Sequence, residues 1–138
     1  MALAIANVTC VAIGGRGLLI EGSTGSGKST LAVELIDRGA VLVGDDGVSL
    51  ELRGERLWAA PPPHIAGKLE IRGVGIVELP CTEAPVALSL RLADTAPRLP
   101  EPGSVEWLGQ SIPQLAFVAD APVAAIRAEY AMARFGLA

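Results

Sequence analysis

The sequence predicts a mixed α/β fold built around a glycine-rich loop. Three observations carry that prediction. A β-rich run ends directly in Gly22-Ser23-Thr24-Gly25-Ser26-Gly27-Lys28-Ser29, a helical apolar period starts at Ser29, and a second short apolar run ends in Asp45-Asp46. Strand, helix and strand within about 30 residues make a βαβ unit with a right-handed crossover. The glycine loop and the acidic pair then share one edge of a parallel sheet, where ligands of open α/β sheets bind.

The elements follow in order. Val8–Ile13 is rich in strand formers, and Gly14-Gly15-Arg16-Gly17 is turn chemistry suited to a hairpin. Residues 17–21 read as a buried strand feeding the loop. Leu31, Ala32, Leu35 and Ile36 recur at helical spacing, and Gly39 suits the left-handed position that ends a helix. Residues 40–43 form the second strand. Residues 48–52 and 56–60 flank Arg53-Gly54-Glu55 as a hairpin, and Pro61-Pro62-Pro63 is a stiff connector. Residues 85–92 alternate as a strand with Val86, Leu88, Leu90 and Leu92 on one face, and residues 97–103 are a proline-rich loop. Residues 121–135 read as a terminal helix, with Asp120 as N-cap and Val123, Ile126, Tyr130 and Arg134 spaced around it.

A length of 138 residues fits one domain, 1–138, with half its residues apolar. The formal charge of −4, with basic residues scattered, gives no long-range attraction for nucleic acid or anionic lipid. A local basic patch where Lys28, Lys68 and Arg72 converge is all that phosphate binding asks. Cys10 and Cys81 have no metal spacing and sit among apolar residues, as buried free thiols of a reducing compartment do. The apolar start lacks a basic leader region, and no apolar run approaches the ~20 residues of a membrane span. The expectation is a soluble, cytoplasmic protein.

The loop matches the P-loop pattern of glycine, four residues, glycine, lysine, serine. Glycines let backbone N–H groups approach phosphate oxygens, and the helix N-terminus adds partial positive charge. Residues Gly22, Ser23, Thr24, Gly25, Ser26, Gly27, Lys28, Ser29 and Thr30 are therefore the expected nucleotide site. Lys28 reaches the β- and γ-phosphates, and the Ser29 hydroxyl is placed to ligate Mg²⁺. Asp45 and Asp46 end the next strand like a Walker-B pair, able to hold Mg²⁺ or take a proton from an attacking hydroxyl. Asp-Asp-Gly is also good turn chemistry, but two adjacent carboxylates repel and call for a cation. Glu70 and Arg72, two apart, share a face if extended; by themselves they read as a solvated ion pair.

Taken together, Ile20 to Ser29, then Leu35-Ile36-Asp37-Arg38-Gly39, then Leu42-Val43-Gly44-Asp45-Asp46 resemble the catalytic domain of HPr kinase/phosphorylase. So does Ile65-Ala66-Gly67-Lys68-Leu69-Glu70-Ile71-Arg72-Gly73-Val74-Gly75-Ile76, which is similar to that family's second signature segment. The resemblance covers about residues 7–80, in the manner of short, catalytic-domain-only forms. It implies a P-loop kinase core of the HPr kinase/PEP carboxykinase type: a mixed sheet with flanking helices and a C-terminal helix. It also implies an ATP- and Mg²⁺-dependent serine kinase acting on the phosphocarrier HPr, and removal of the same group by phosphorolysis. Asp45, Asp46 and Arg72 would then be catalytic, and Ser29, Asp46 and Glu70 would hold the metal. Longer members assemble as hexamers, so association of copies is open to this chain.

The sequence departs from the family at Asn7, where members carry a histidine placed to meet the first acid. Asparagine can hydrogen-bond a carboxylate but carries no proton that titrates near neutral pH. The Pro-Gly-Arg-Asn stretch of longer members is missing, with Ala121-Pro122-Val123 and Arg127 in that region. Lys68 stands where members are apolar and reads as a surface variation. The second reading these departures support is a nucleotide-binding sensor, weakened in catalysis, that acts through a protein partner. His64 reads as a solvated loop residue, and Trp58 and Trp107 as core or interface.

Overall fold

The computed structural model describes residues 2–138, and Met1, where the apolar start begins, lies outside them. Thirteen elements form: β1 (Ala2–Ala6), β2 (Val8–Ile13), β3 (Arg16–Glu21), α1 (Lys28–Asp37), β4 (Val41–Gly44), β5 (Gly47–Arg53), β6 (Arg56–Ala60), β7 (Lys68–Ile71), β8 (Gly75–Glu78), β9 (Ala84–Leu92), β10 (Gly103–Trp107), β11 (Gln110–Phe117) and α2 (Ala124–Phe135). The main sheet runs β1-β5-β6-β9-β3-β2-β4, with β11 on β9 and β10 on β11, and β7-β8 stands apart as a hairpin.

The sheet is mixed, as expected, but β3 and β4 are not neighbours. Both pair antiparallel with β2, which lies between them, so β3 and β4 run parallel and end at the same edge. The Gly22–Ser29 loop leaves β3 at that edge, and the acidic pair leaves β4 there. Turn chemistry makes this possible: Gly14 and Gly15, at φ 57° and 83°, close the β2–β3 hairpin.

Two cores result from the two sheet faces. Both helices cover one, where Leu18, Ile20, Leu31, Leu35, Leu88, Leu90 and Met132 pack together. On the other face the sheet curls, and Val48, Leu50, Leu57 and Ala59 of its outer strands meet Val8, Cys10, Leu19 and Val43. Val86 belongs to this second core, not to the Leu88, Leu90 and Leu92 face that alternation predicts. The cause is a register shift against β3, where Gly17 pairs Val86 but Leu18 pairs Leu88, so one extra residue flips the earlier side chains.

Two further expectations change. Asp120 does not cap α2: Val123, at φ 56°, precedes the helix and no side chain caps it. Pro122 and the left-handed Val123 carry the chain out of helical geometry after Asp120, so the helix starts beyond reach of its carboxylate. The buried side of α2 is Ala124, Ala125, Ala128 and Met132, the three alanines allowing close approach, while Tyr130 is exposed. Cys10 is buried as expected, whereas Cys81 is exposed; both are free thiols. Strands β1, β8, β10 and β11 have no counterpart in the sequence reading, and β7 has only the conditional extended segment of Glu70 and Arg72. A partly buried polar cluster ties β11 in, with Ser89 donating to Glu21, and Gln114 Nε2 donating to Glu21 Oε2 at 2.9 Å.

Candidate functional site

The loop between β3 and α1 is shaped by its glycines. Gly27 stands at φ 103°, a conformation that favours glycine, and a Cβ at Gly22 would strike Ser26 Oγ at 2.6 Å. Gly27 also accepts the first helical bond, from Leu31 N–H at 3.0 Å, so the free N–H groups of α1 open toward the loop.

Lys28 is only 6% exposed, and a buried ammonium needs acceptors. It donates to the carbonyls of Gly22 (2.8 Å) and Ser23 (3.0 Å). Two of its three protons are thereby used, and the third is available to an anion in the loop. The partner groups belong to the loop itself, so the cation is fixed where the loop closes.

The acidic pair is held asymmetrically. Ser29 Oγ donates to Asp45 Oδ1 at 2.7 Å, and Thr9 Oγ1 donates to the same oxygen at 3.1 Å. The Glu70 N–H lies 3.4 Å from Asp45 Oδ2. Asp46 is exposed, and its carboxylate makes no hydrogen bond among the described residues. Its backbone sits at φ 57°, with its N–H donating to Thr9 Oγ1 (3.1 Å) and its carbonyl accepting from Asn7 N–H (3.1 Å).

A cavity of about 300 Å³ lies between these groups. The loop and helix side contributes Thr24, Gly25, Gly27, Lys28, Ser29 and Thr30; the opposite side contributes Asp45, Asp46, Glu70 and Arg72. Gly22, Ser23 and Ser26 stand behind this lining, the first two as acceptors for Lys28. Glu70 and Arg72 come from the β7–β8 hairpin, which lies against α1, and Glu70 reaches Asp45 through its backbone rather than its side chain. Of the suggested basic patch, Lys28 and Arg72 meet, while Lys68 is exposed and does not line the cavity. Neither does His64. Trp107 packs on the second core, and Trp58 lies under the Arg53 guanidinium, 4.6 Å from its ring centre.

Among the described residues no three acids or histidines converge as a self-sufficient metal cage. The donor set still fits Mg²⁺, which prefers oxygen ligands, keeps several waters and uses one or two carboxylates plus substrate phosphates. Here Ser29 Oγ and the carboxylates of Asp45, Asp46 and Glu70 are all oxygen donors about a cavity walled on one side by the glycine-rich loop. Asp45, not Asp46, is the acid in contact with Ser29.

Sequence reasoning missed Thr9. Its signal was present: in the apolar strand Val8–Ile13 it is the only polar side chain, sharing a face with Val11 and Ile13 and lying one end nearer the acidic turn. Asn7, which the family comparison singled out, is exposed and left-handed at φ 64°, and it meets Asp46 through its backbone.

The family model for the HPr serine kinase C-terminal domain matches residues 3–82. An HPr kinase/phosphorylase of Streptococcus thermophilus is 47% identical over 70 residues, covering 50% of this chain and 23% of that protein. Another, of Clostridium tetani, is 46% identical over 66 residues, covering 48% of this chain and 22% of that one. The matched stretch is thus less than a quarter of the length of these relatives. The solved Hpr(Ser) kinase/phosphatase from Coxiella burnetii superimposes with a TM-score of 0.82 at 27% identity, covering 93% of this chain and 92% of that chain. The fold likeness therefore extends through the last third, beyond the span of the family model. With more than half of its residues matched by that model, the chain belongs to the HPr serine kinase C-terminal domain family.

Proposed function

We propose that this chain is a nucleotide-dependent serine kinase that moves the γ-phosphoryl group of ATP to a serine hydroxyl of the phosphocarrier protein HPr. The observation that supports it most is the meeting of Lys28, Ser29, Asp45, Asp46, Glu70 and Arg72 about one cavity, in a chain of this family. The loop N–H groups and Lys28 hold the phosphates. Asp46, whose carboxylate has no hydrogen-bond partner among the described residues, accepts the proton of the attacking hydroxyl, while Asp45 is committed to Ser29 and Thr9. Arg72 steadies phosphate oxygens across the cavity. Ser29, Asp46 and Glu70 are the residues that would hold Mg²⁺, which supplies neutralisation of the transferred charge. Removal of the group by phosphorolysis, in which inorganic phosphate attacks the phosphoserine phosphorus and leaves as pyrophosphate while the serine oxygen regains a proton, uses the same groups.

In this reading residues 1–138 act as one catalytic domain, in the cytoplasm, and copies associate. The test is incubation with ATP, Mg²⁺ and HPr, with phosphoserine detected by mass spectrometry. Transfer that disappears in Asp45→Asn supports the kinase. Tight ATP binding without transfer supports a nucleotide sensor instead, the reading favoured by Asn7, whose side chain makes no bond to the acidic pair among the described residues and supplies no titratable proton.

A further inference from the structure

We propose that Thr9 is the positioning residue of the acidic turn, its hydroxyl fixing where the Asp46 carboxylate stands in the cavity. The inference rests on the phosphotransfer reading above and adds a residue to it. Thr9 is fully buried in β2, where neighbouring side chains are apolar. Its one hydroxyl proton goes to Asp45 Oδ1 at 3.1 Å, and its oxygen accepts the Asp46 N–H at 3.1 Å. A single hydroxyl therefore bridges the side chain of one acid and the backbone of the next.

That bridge matters because Asp46 has little else to hold it. Its φ of 57° lies in the left-handed region, which aspartate visits more readily than most residues but does not prefer. Its carbonyl is fixed by the Asn7 N–H at 3.1 Å. With Thr9 of β2 on the N–H and Asn7, just before β2, on the carbonyl, both backbone groups of Asp46 are taken, and its carboxylate is left facing the cavity. Removal of the Thr9 hydroxyl leaves the Asp46 N–H without its acceptor and Asp45 without one of its two hydroxyl donors. Asn7 alone then holds a residue in an unfavoured conformation.

The test compares the full chain with Thr9→Val, which keeps the branched shape without the hydroxyl, and Thr9→Ser, which keeps the hydroxyl. Two quantities are read: hydrogen exchange at the Asp46 amide, and kcat and KM for phosphoryl transfer from ATP to HPr. In Thr9→Val, Asp46 exchange rises by about tenfold or more. In the same variant kcat falls by about 10- to 100-fold with KM for ATP unchanged. Thr9→Ser restores both. An Asp46 exchange rate in Thr9→Val equal to wild type overturns the proposal, and so does a kcat that stays at the wild-type level or fails to recover with serine. A wild type that transfers no phosphoryl group overturns the kinase reading instead, and the exchange rates still decide whether Thr9 holds Asp46.

Discussion

Ser29 Oγ donates a 2.7 Å hydrogen bond to Asp45 Oδ1, joining the first turn of α1 to the end of β4. The two residues are 16 apart in sequence, the length of one short helix and its return. A loop hydroxyl and an acid are thus aligned by contacts within the protein itself, so under the proposed function little reorganisation would accompany phosphate binding. The pairing also divides the labour between adjacent acids. Asp45 is occupied by two hydroxyl donors, whereas the Asp46 carboxylate has no partner among the described residues.

That division gives different outcomes for two conservative substitutions. Asp46→Asn removes the proton acceptor but keeps a side chain that tolerates the left-handed backbone. Phosphoryl transfer is expected to fall by about 100-fold or more, with folding stability close to wild type. Asp45→Asn replaces one acceptor oxygen by a donor amide facing hydroxyl groups or the Glu70 N–H. It is expected to lose transfer and also about 1–3 kcal/mol of stability. Single-turnover assays and urea denaturation together check this, and equal stability loss in the two variants would refute the asymmetry.

Lys28→Ala removes a charged donor from the phosphate cradle and leaves the Gly22 and Ser23 carbonyls without their partner. A hydrogen bond to a charged group is worth about 1.5–3 kcal/mol, so ATP affinity is expected to drop by about 10- to 100-fold in titration calorimetry. Unchanged affinity would contradict phosphate binding by the loop itself.

The two thiols differ in a way that chemistry can read. Cys10 is fully buried in the second core, and that burial pushes its thiol far above the ordinary range. Cys81 is exposed. The thiolate is the reactive form, so a disulfide reagent at pH 8 is expected to modify Cys81 alone in the folded protein. Reaction at Cys10 should appear only with denaturant, on the unfolding midpoint. Two rapidly reacting thiols in the native protein would place Cys10 outside the core.

Most of the site could be read from residues alone because its chemistry is local. A glycine loop declares its own backbone demands, and the short helix after it fixes where Asp45 and Asp46 arrive. The Val8–Ile13 strand and its hairpin with β3 were read, but its place between β3 and β4 could not be, since its pairing with β4 spans the loop and α1. β10 and β11 were missed for a related reason: Pro113 lies inside β11, and its polar Gln110, Ser111 and Gln114 break the apolar signal of a strand. They fold because β11 runs parallel to β9 and Gln114 joins the partly buried Glu21–Ser89 pair. Thr9 was passed over because a threonine in a strand ordinarily reports β-propensity. Asn7 drew notice for its side chain, yet what the structure uses is its backbone, bent into a conformation that asparagine tolerates.

Gly44 gives the last test, because it couples the fold directly to the acidic turn. It is buried at the end of β4, immediately before Asp45, and a Cβ there would collide with the Gly47 carbonyl and lie 2.9 Å from Val48 Cγ1. The colliding atom is backbone, so Gly44→Ala must displace the turn that carries both acids. Overpacking of this kind costs about 1–3 kcal/mol. Gly54→Ala is the control: Gly54 turns the β5–β6 hairpin at φ 63° with no atom within 4 Å of an added Cβ. Its strain, about 1–2 kcal/mol, is conformational and stays in a turn that does not line the cavity. The two variants should therefore lose comparable stability in urea melts, while only Gly44→Ala loses phosphoryl transfer under conditions where both are folded. Equal retention of activity would mean that the position of Asp45 and Asp46 does not depend on the close packing of β4 against β5.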